Sequence, residues 1–144
     1  MPDTYSSLSF HLVFSTKNRL PLLTTSIRLD LFGYLGGIVK GIGGTVIAIG
    51  GMPDHVHLVI RLPARVAVAD AVRSIKANSA KWMNLQIRTS KFGWQSGYGA
   101  FSVSQSALSS VVEYVTTQER HHRKRTFEDE FAVLLAKHGL GDSD

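Results

Sequence analysis

Two histidines separated by a single valine stand out in the stretch PDHVHLVI, at His55 and His57. The stretch otherwise has the composition of a β-strand, in which successive side chains point to opposite faces. Both imidazoles therefore project from one face and Val56 from the other. Two imidazoles on one face can bind a divalent metal ion, but they can equally be polar residues on a solvated face. The stretch alone leaves both interpretations open.

A second pair of candidate residues, Tyr114 and Gln118, lies in the stretch SSVVEYVTTQERHH. The two residues are one helical turn apart, on the flank of an apolar stripe. A tyrosine there can pack at the edge of a core, and a glutamine can be plain helix surface. A helix lying across the histidine face would instead bring Gln118 to a metal and hold Tyr114 beside it. The apolar stripe consists of Leu108, Val111, Val112 and Val115.

The elements that must position these residues follow from hydrophobic periodicity and from the glycine and proline positions. The pattern predicts strands over residues 7–16, 45–51, 55–62 and 100–104. It predicts helices over residues 24–40, 68–87, 105–123 and 127–138. The six-residue tail 139–144 is acidic and contains glycine, so we expect it to fray.

The order strand, helix, strand, strand, helix, strand is that of a ferredoxin-like (RRM-like) α+β sandwich with an antiparallel sheet. In this fold the two helices cover one face of the sheet. The apolar positions of the third strand, Val56 to Leu62, should face these helices. His55 and His57 should then lie on the open face, beside His11 of the first strand, with the Tyr114 helix among the C-terminal helices.

Composition supports one domain over residues 1–144, since 44% hydrophobic residues in 144 are enough for one core. The net charge of +5 favours a polyanionic partner. The chain has no cysteine, which excludes disulfides, thiolate chemistry and cysteine-ligated zinc. We see no signal peptide and no apolar run long enough to span a membrane, so we expect a cytoplasmic protein.

Both pairs of candidate residues resemble motifs of a known family. His55-Val56-His57 resembles the histidine motif of the HUH nucleases, and Tyr114 with Gln118 resembles the Tyr-x-x-x-Gln helix of their single-tyrosine members. The specific resemblance is to IS200/IS605-type and REP-associated tyrosine transposases. It extends over most of the chain, through the segments SFHLVFSTKNRLPLL, GMPDHVHLVIRLP, SIKANSAKWMN, GWQSGYGAFSVS and EYVTTQERHH.

The resemblance implies a transposase that cleaves and rejoins single-stranded, hairpin-bearing DNA. Tyr114 would be the nucleophile and form a 5′-phosphotyrosine intermediate, which allows strand transfer without ATP. His55, His57 and Gln118 would hold one divalent ion, Mg²⁺ or Mn²⁺, and the ligands alone leave zinc open.

Basic residues throughout the chain could neutralise DNA phosphates. Phe92, Trp94 or Tyr98 could stack on exposed bases. A charged stretch such as RHHRKR can also be a solvated helix end, so this set is the least specific. The candidate DNA-binding residues are Lys17, Arg19, Arg61, Arg73, Lys76, Lys81, Arg120, Arg123 and Lys124.

Three functions remain open on the sequence. The first is an active transposase acting through Tyr114. The second is a domesticated REP-associated relative that binds or processes hairpin DNA. The third is a metal-dependent hydrolase that uses water at the same ion. We expect a homodimer, with a monomer as the alternative that the REP-associated branch suggests.

Overall fold

The computed structural model describes residues 4–88, 92–121 and 125–141. Four β-strands are formed, β1 (Ser9–Ser15), β2 (Thr45–Met52), β3 (His55–Arg61) and β4 (Gly99–Val103). Five α-helices are formed over the same residues, α1 (Thr25–Ile42), α2 (Val68–Ile87), α3 (Leu108–Thr116), α4 (Gln118–His121) and α5 (Phe127–Lys137). No helix among the described residues combines the length and the apolar character needed to cross a membrane.

The four strands form one antiparallel sheet in the order β2-β3-β1-β4. This order and the succession of elements confirm the predicted ferredoxin-like α+β sandwich. The central strands β1 and β3 are paired so that Val13 lies opposite His57 and Ser15 opposite His55. The histidine strand is therefore supported by a neighbouring strand on both sides.

The main core lies between the sheet and helices α1 and α2. The alternation predicted for β3 is confirmed, because Val56, Leu58 and Ile60 are fully buried in this core. Helix α1 ends at Ile42 and is capped by Gly43, whose φ of 97° is left-handed, a conformation that glycine adopts without strain. The backbone N–H groups of Gly43 and Gly44 donate to the carbonyls of Lys40 and Val39, which closes the last turn.

The second face of the sheet is also covered, and the expectation of an open face is wrong. Helix α3 packs Val115 onto Ala48 and Val59, and α5 packs Leu134 onto Val13 and Phe101. His55 and His57 are on this face, as predicted, but both are 0% exposed. The apolar residues Val13 and Val59 on the same face drive the coverage, because leaving them in water would be unfavourable.

The C-terminal region differs from the single helix predicted over residues 105–123. A short 3-10 helix (Gln105–Ala107) precedes α3, and Thr117, with φ −115° and ψ 35°, separates α3 from α4. The tail was expected to fray from residue 139, yet the N–H groups of Gly139 and Leu140 donate to carbonyls of α5. Residues 142–144 lie outside the described residues.

Candidate active site

The two histidines of β3 have their Nδ1 atoms held by neighbouring side chains. The Nδ1 atom of His55 donates to Oδ1 of Asp54 at 2.8 Å. The Nδ1 atom of His57 is hydrogen-bonded to Nε2 of His11 at 2.7 Å. His11 therefore lies beside the pair, as the alternation of β1 predicts. Because both Nδ1 atoms are engaged, the rings are fixed and their Nε2 atoms are presented to the same space.

The break in the helix at Thr117 places Gln118 in that space. The Oε1 atom of Gln118 lies 3.1 Å from Nε2 of His55. The side-chain Nε2 of Gln118 donates to the backbone carbonyl of Tyr114 at 3.3 Å. The ring of Tyr114 meets the ring of His57 edge-on, with centroids 5.8 Å apart. The structure thus brings together His55, His57, Tyr114 and Gln118 within one chain.

Gly50 allows α3 to approach the sheet closely enough for this arrangement. Gly50 pairs with His57 across β2 and β3. A Cβ atom at Gly50 would lie 1.8 Å from the backbone oxygen of Val115. Real atoms do not approach that closely, so this position must be glycine for α3 to lie where it does.

Glu130 of α5 completes the cluster and was not among the predicted residues. Its Oε1 atom lies 3.1 Å from Nε2 of His57 and 3.3 Å from Nε2 of His55. Its Oε2 atom accepts a hydrogen bond from the Tyr114 hydroxyl. A signal was present in the sequence, since Glu130 falls on the apolar stripe of Phe127, Phe131 and Leu134, where an acid would have to be buried.

The charges of this cluster are mutually dependent. Burial disfavours the charged form of Glu130, but the hydrogen bonds from His55 and His57 hold its pKa well below the usual range. Burial likewise disfavours protonated His55, but Asp54, Glu130 and Gln118 together raise the pKa of His55 to about 9. The metal-free site is therefore an ion pair between the His55 imidazolium and the Glu130 carboxylate.

His11 and Tyr114 are shifted toward their neutral forms. Burial, reinforced by His57, lowers the pKa of His11 to about 3, so this ring is uncharged at neutral pH. Burial and the neighbouring charge of Glu130 raise the pKa of Tyr114. The tyrosine is consequently a protonated phenol at neutral pH, and its hydroxyl proton points at the carboxylate.

The raised pKa of His55 predicts that the metal-free protein loses stability on the alkaline side. The unfolded chain releases the His55 proton near pH 6.5 and the folded chain near pH 9. The stabilisation is therefore complete below about pH 6.5 and is lost as pH rises to about 9. We expect the free energy of unfolding, measured with urea and a chelator, to fall by roughly 2 to 3 kcal/mol over this interval.

Asp54→Asn is the matched variant for this prediction, because it removes the largest contribution that raises the pKa of His55. The alkaline loss should become smaller and begin at lower pH in this variant. An unfolding free energy that stays constant between pH 6.5 and 9 in the unmodified protein would contradict the charge assignment of His55.

The donor set and its spacing fit a divalent metal ion. Metal–ligand bonds of about 2.1 Å place neighbouring donor atoms about 3.0 Å apart in octahedral geometry and about 3.4 Å apart in tetrahedral geometry. The separations between His55 and Gln118, between His55 and Glu130, and between His57 and Glu130 are 3.1, 3.3 and 3.1 Å. Two imidazole nitrogens with carboxylate and amide oxygens suit Mn²⁺ or Mg²⁺.

A cavity of about 700 Å³ opens beside Tyr114, between α3, α5 and strand β4. Its wall includes His11 and Ser110 together with three residues with basic side chains, Arg125, Lys137 and His138. The histidines of β3 are buried, and of the cluster and its neighbours it is Tyr114 and His11 that line this cavity.

The predicted DNA-binding cations are distributed over several elements, and their role stays a prediction. Lys76 donates to the carbonyls of Gln95 and Gly97, so its ammonium group fastens the loop before β4. Three others contact partners, Arg19 with Glu128, Arg61 with Gln105 and Arg73 with Asp70. Lys17, Lys81 and Arg120 are exposed, while Arg123 and Lys124 lie outside the described residues.

Two of the three aromatic residues predicted to stack on bases are used in the fold. Phe92 is 5% exposed in the main core. Trp94 packs edge-on against Phe92 and Phe14, and its indole N–H donates to Ser79 at 2.9 Å. The stacking prediction is therefore wrong for Phe92, while Trp94 is partly exposed and its stacking stays a prediction. Tyr98, at 40% exposure, remains accessible.

Comparison with known proteins gives consistent matches. A family model described as "Transposase IS200 like" matches residues 4–118. The ISDra2 transposase TnpA of Deinococcus radiodurans is 29% identical over an alignment of 117 residues, which covers 77% of this chain and 84% of that protein.

Two solved structures share the fold. A chain described as a transposase of Deinococcus radiodurans R1 has a TM-score of 0.66 and 24% identity, covering 80% of this chain and 93% of that chain. A REP-associated tyrosine transposase bound to a REP hairpin has a TM-score of 0.59 and 15% identity, covering 97% of this chain and 74% of that chain.

Proposed function

The chain belongs to the IS200-like transposase family, and we propose that it cleaves and rejoins single-stranded DNA through a covalent bond to Tyr114. One observation carries this proposal. The hydroxyl of Tyr114 and the candidate metal ligands His55, His57 and Gln118 converge in a single chain, although they come from two separate parts of the sequence.

Tyr114 would act as the nucleophile. Its oxygen would attack the scissile phosphorus, forming a tyrosine–phosphate bond at the 5′ side while the bond to the 3′ oxygen breaks. The tyrosine proton would be released to solvent during attack, and the departing 3′ oxygen would take up a proton from solvent to become a hydroxyl. Because the phosphate ester is retained, a different 3′ hydroxyl can reverse the step and join two strands.

His55, His57 and Gln118 would hold the ion, Mg²⁺ or Mn²⁺. When bound, the ion would polarise the scissile phosphate and neutralise part of its charge. Asp54 and His11 orient the two imidazole rings through their Nδ1 atoms. Such supporting hydrogen bonds typically change metal affinity by about 10- to 100-fold.

The substrate is proposed to be a single strand next to a hairpin. The solved REP-associated relative is bound to a REP hairpin, which supports hairpin DNA as the ligand class. The cavity beside Tyr114 has the volume to hold unpaired nucleotide groups, and Arg125 and Lys137 on its wall can neutralise phosphates. A base-paired duplex presents no free strand that could enter such a cavity.

The test is incubation of the unmodified protein with hairpin-bearing single-stranded DNA and Mn²⁺ or Mg²⁺. We expect a protein–DNA adduct that survives denaturation, does not form with a chelator, and maps by mass spectrometry to the peptide containing Tyr114. A second strand with a free 3′ hydroxyl should release the protein and give a joined product.

The alternatives give different results in the same assay. Cleavage without an adduct would support a hydrolase that uses water at the ion. Hairpin binding with neither cleavage nor adduct would support a domesticated DNA-binding relative. The homodimer stays a prediction. Since one chain supplies Tyr114 and both histidines here, we propose that a single subunit contains a complete site.

A further inference from the structure

We propose that Glu130 is an additional ligand of the metal ion and that the same carboxylate orients the Tyr114 hydroxyl. This inference rests on the proposed function, because it concerns the ion that His55 and His57 would hold. It adds an anionic ligand to a set that would otherwise be neutral, and it connects the ion directly to the nucleophile.

The two oxygens of Glu130 are directed to different partners. Oε1 lies within 3.3 Å of the Nε2 atoms of both histidines, a spacing that suits donor atoms around one ion. Oε2 accepts the hydrogen bond from Tyr114. One oxygen is therefore at the ion site and the other at the nucleophile, so the carboxylate fixes the position of the phenol relative to the metal.

Glu130 is too deeply buried to be an ordinary solvent-exposed residue of α5. Its side chain is 1% exposed, and an isolated carboxylate removed from water is strongly disfavoured unless a cation accompanies it. In the metal-free site the His55 imidazolium supplies that cation. A divalent ion between His55, His57 and Glu130 would take its place, and carboxylate oxygen is a preferred ligand of Mg²⁺ and Mn²⁺. Among the described residues these three form the cluster that could hold an ion.

Helix α5 holds Glu130 rigidly in place. Phe127 packs against the ring of His55 with centroids 4.4 Å apart, and Leu134 packs with Val13 and Phe101 on the sheet. The Thr126 hydroxyl accepts a hydrogen bond from the backbone of Asp129, which caps the first turn. Glu130 lies beyond residue 118, where the match to the family model ends, so its role is inferred from this chain alone.

Mn²⁺ affinity, measured by titration calorimetry and by electron paramagnetic resonance, tests this inference without reference to DNA cleavage. We expect Glu130→Gln to weaken Mn²⁺ binding at least about tenfold, because it removes the charged ligand and keeps the side-chain shape. Glu128→Gln is the matched control, since it removes the same charge from a residue of α5 that is 68% exposed. Its Mn²⁺ affinity should be unchanged.

A measurement on the unmodified protein covers the case in which Glu130→Gln does not fold. With ¹³C-labelled glutamate, the infrared difference spectrum on adding Mn²⁺ should show a shifted carboxylate band, and this band should persist in Glu128→Gln.

Unchanged Mn²⁺ affinity in folded Glu130→Gln, or no glutamate band in the infrared spectrum, would overturn the assignment. If His57→Ala nevertheless loses Mn²⁺ binding, the proposed function would be retained and only the role of Glu130 as a ligand would be excluded. An absence of Mn²⁺ binding in the unmodified protein would instead contradict both.

Discussion

Replacing Tyr114 with phenylalanine should abolish the covalent protein–DNA adduct while the protein remains folded. The substitution removes only the hydroxyl oxygen, and no other group in the cluster can form the phosphotyrosine bond. We expect adduct formation to fall by at least about 10³-fold, which corresponds to roughly 4 kcal/mol of activation free energy. Denaturing gel electrophoresis of labelled hairpin DNA measures this loss.

The phenylalanine ring should keep its edge-on contact with His57, so hairpin binding should be retained. The lost hydrogen bond to Glu130 should lower the free energy of unfolding by about 1 kcal/mol. Tyr34→Phe is the control, because Tyr34 stacks on Trp82 at the surface of α1, away from the cluster. Strand cleavage at an undiminished rate in Tyr114→Phe would exclude the tyrosine mechanism and favour a water nucleophile.

Replacing Gly50 with alanine should impair activity and stability together, although Gly50 carries no functional group. The new Cβ atom would lie 1.8 Å from the Val115 oxygen and 2.8 Å from its carbonyl carbon. Both contacts are with backbone, so α3 must move by more than an ångström. Such overpacking should cost about 3 kcal/mol of unfolding free energy.

The movement of α3 should also displace Tyr114 and Gln118 from the histidines. A misplacement of about 1 Å typically reduces a reaction rate about 10²-fold, and we expect adduct formation to fall by this order. Gly37→Ala in α1 is the matched control, since nothing lies within 4 Å of its added Cβ atom. It should stabilise the protein by about 0.5 to 1 kcal/mol through helix propensity and leave the adduct yield unchanged. Equal effects of the two substitutions would show that Gly50 does not set the position of α3.

The fold was predictable because its signals are local. The alternation Val56, Leu58, Ile60 places those residues in the main core, and the same period puts His55 and His57 on the opposite face. The glycine cluster after α1 predicted that the helix ends at residue 40, two residues before the observed end at Ile42. These features depend on hydrophobic periodicity and on glycine positions, both of which can be read from a single sequence.

The covered second face was not predictable because it depends on how helices pack over long distances. The apolar stripe of α3 indicated that one face of this helix is buried, but it did not identify the surface against which that face packs. That surface is Ala48 and Val59, and α3 can reach it because Gly50 has no side chain. The importance of a missing Cβ atom becomes visible only when the opposing backbone is known.

Glu130 illustrates the same limit at the level of the site. Its place on the apolar stripe of α5 indicated burial, but only the packing of α5 on the sheet shows what it meets. A cluster made of residues from three separate segments has no short sequence motif. The HVH stretch and the Tyr-x-x-x-Gln spacing are recognisable because each lies within one element.

The side chains that converge on the site are separated by 46 residues for His11 and His57, 63 for His55 and Gln118, and 73 for His57 and Glu130. Contacts between such distant parts of a chain form late in folding, because closing long loops opposes them entropically. A newly synthesised or damaged copy would therefore contain the tyrosine but no assembled site around it. Under the proposed function, this dependence would act as a safeguard, since only a completely folded molecule would be able to cut DNA.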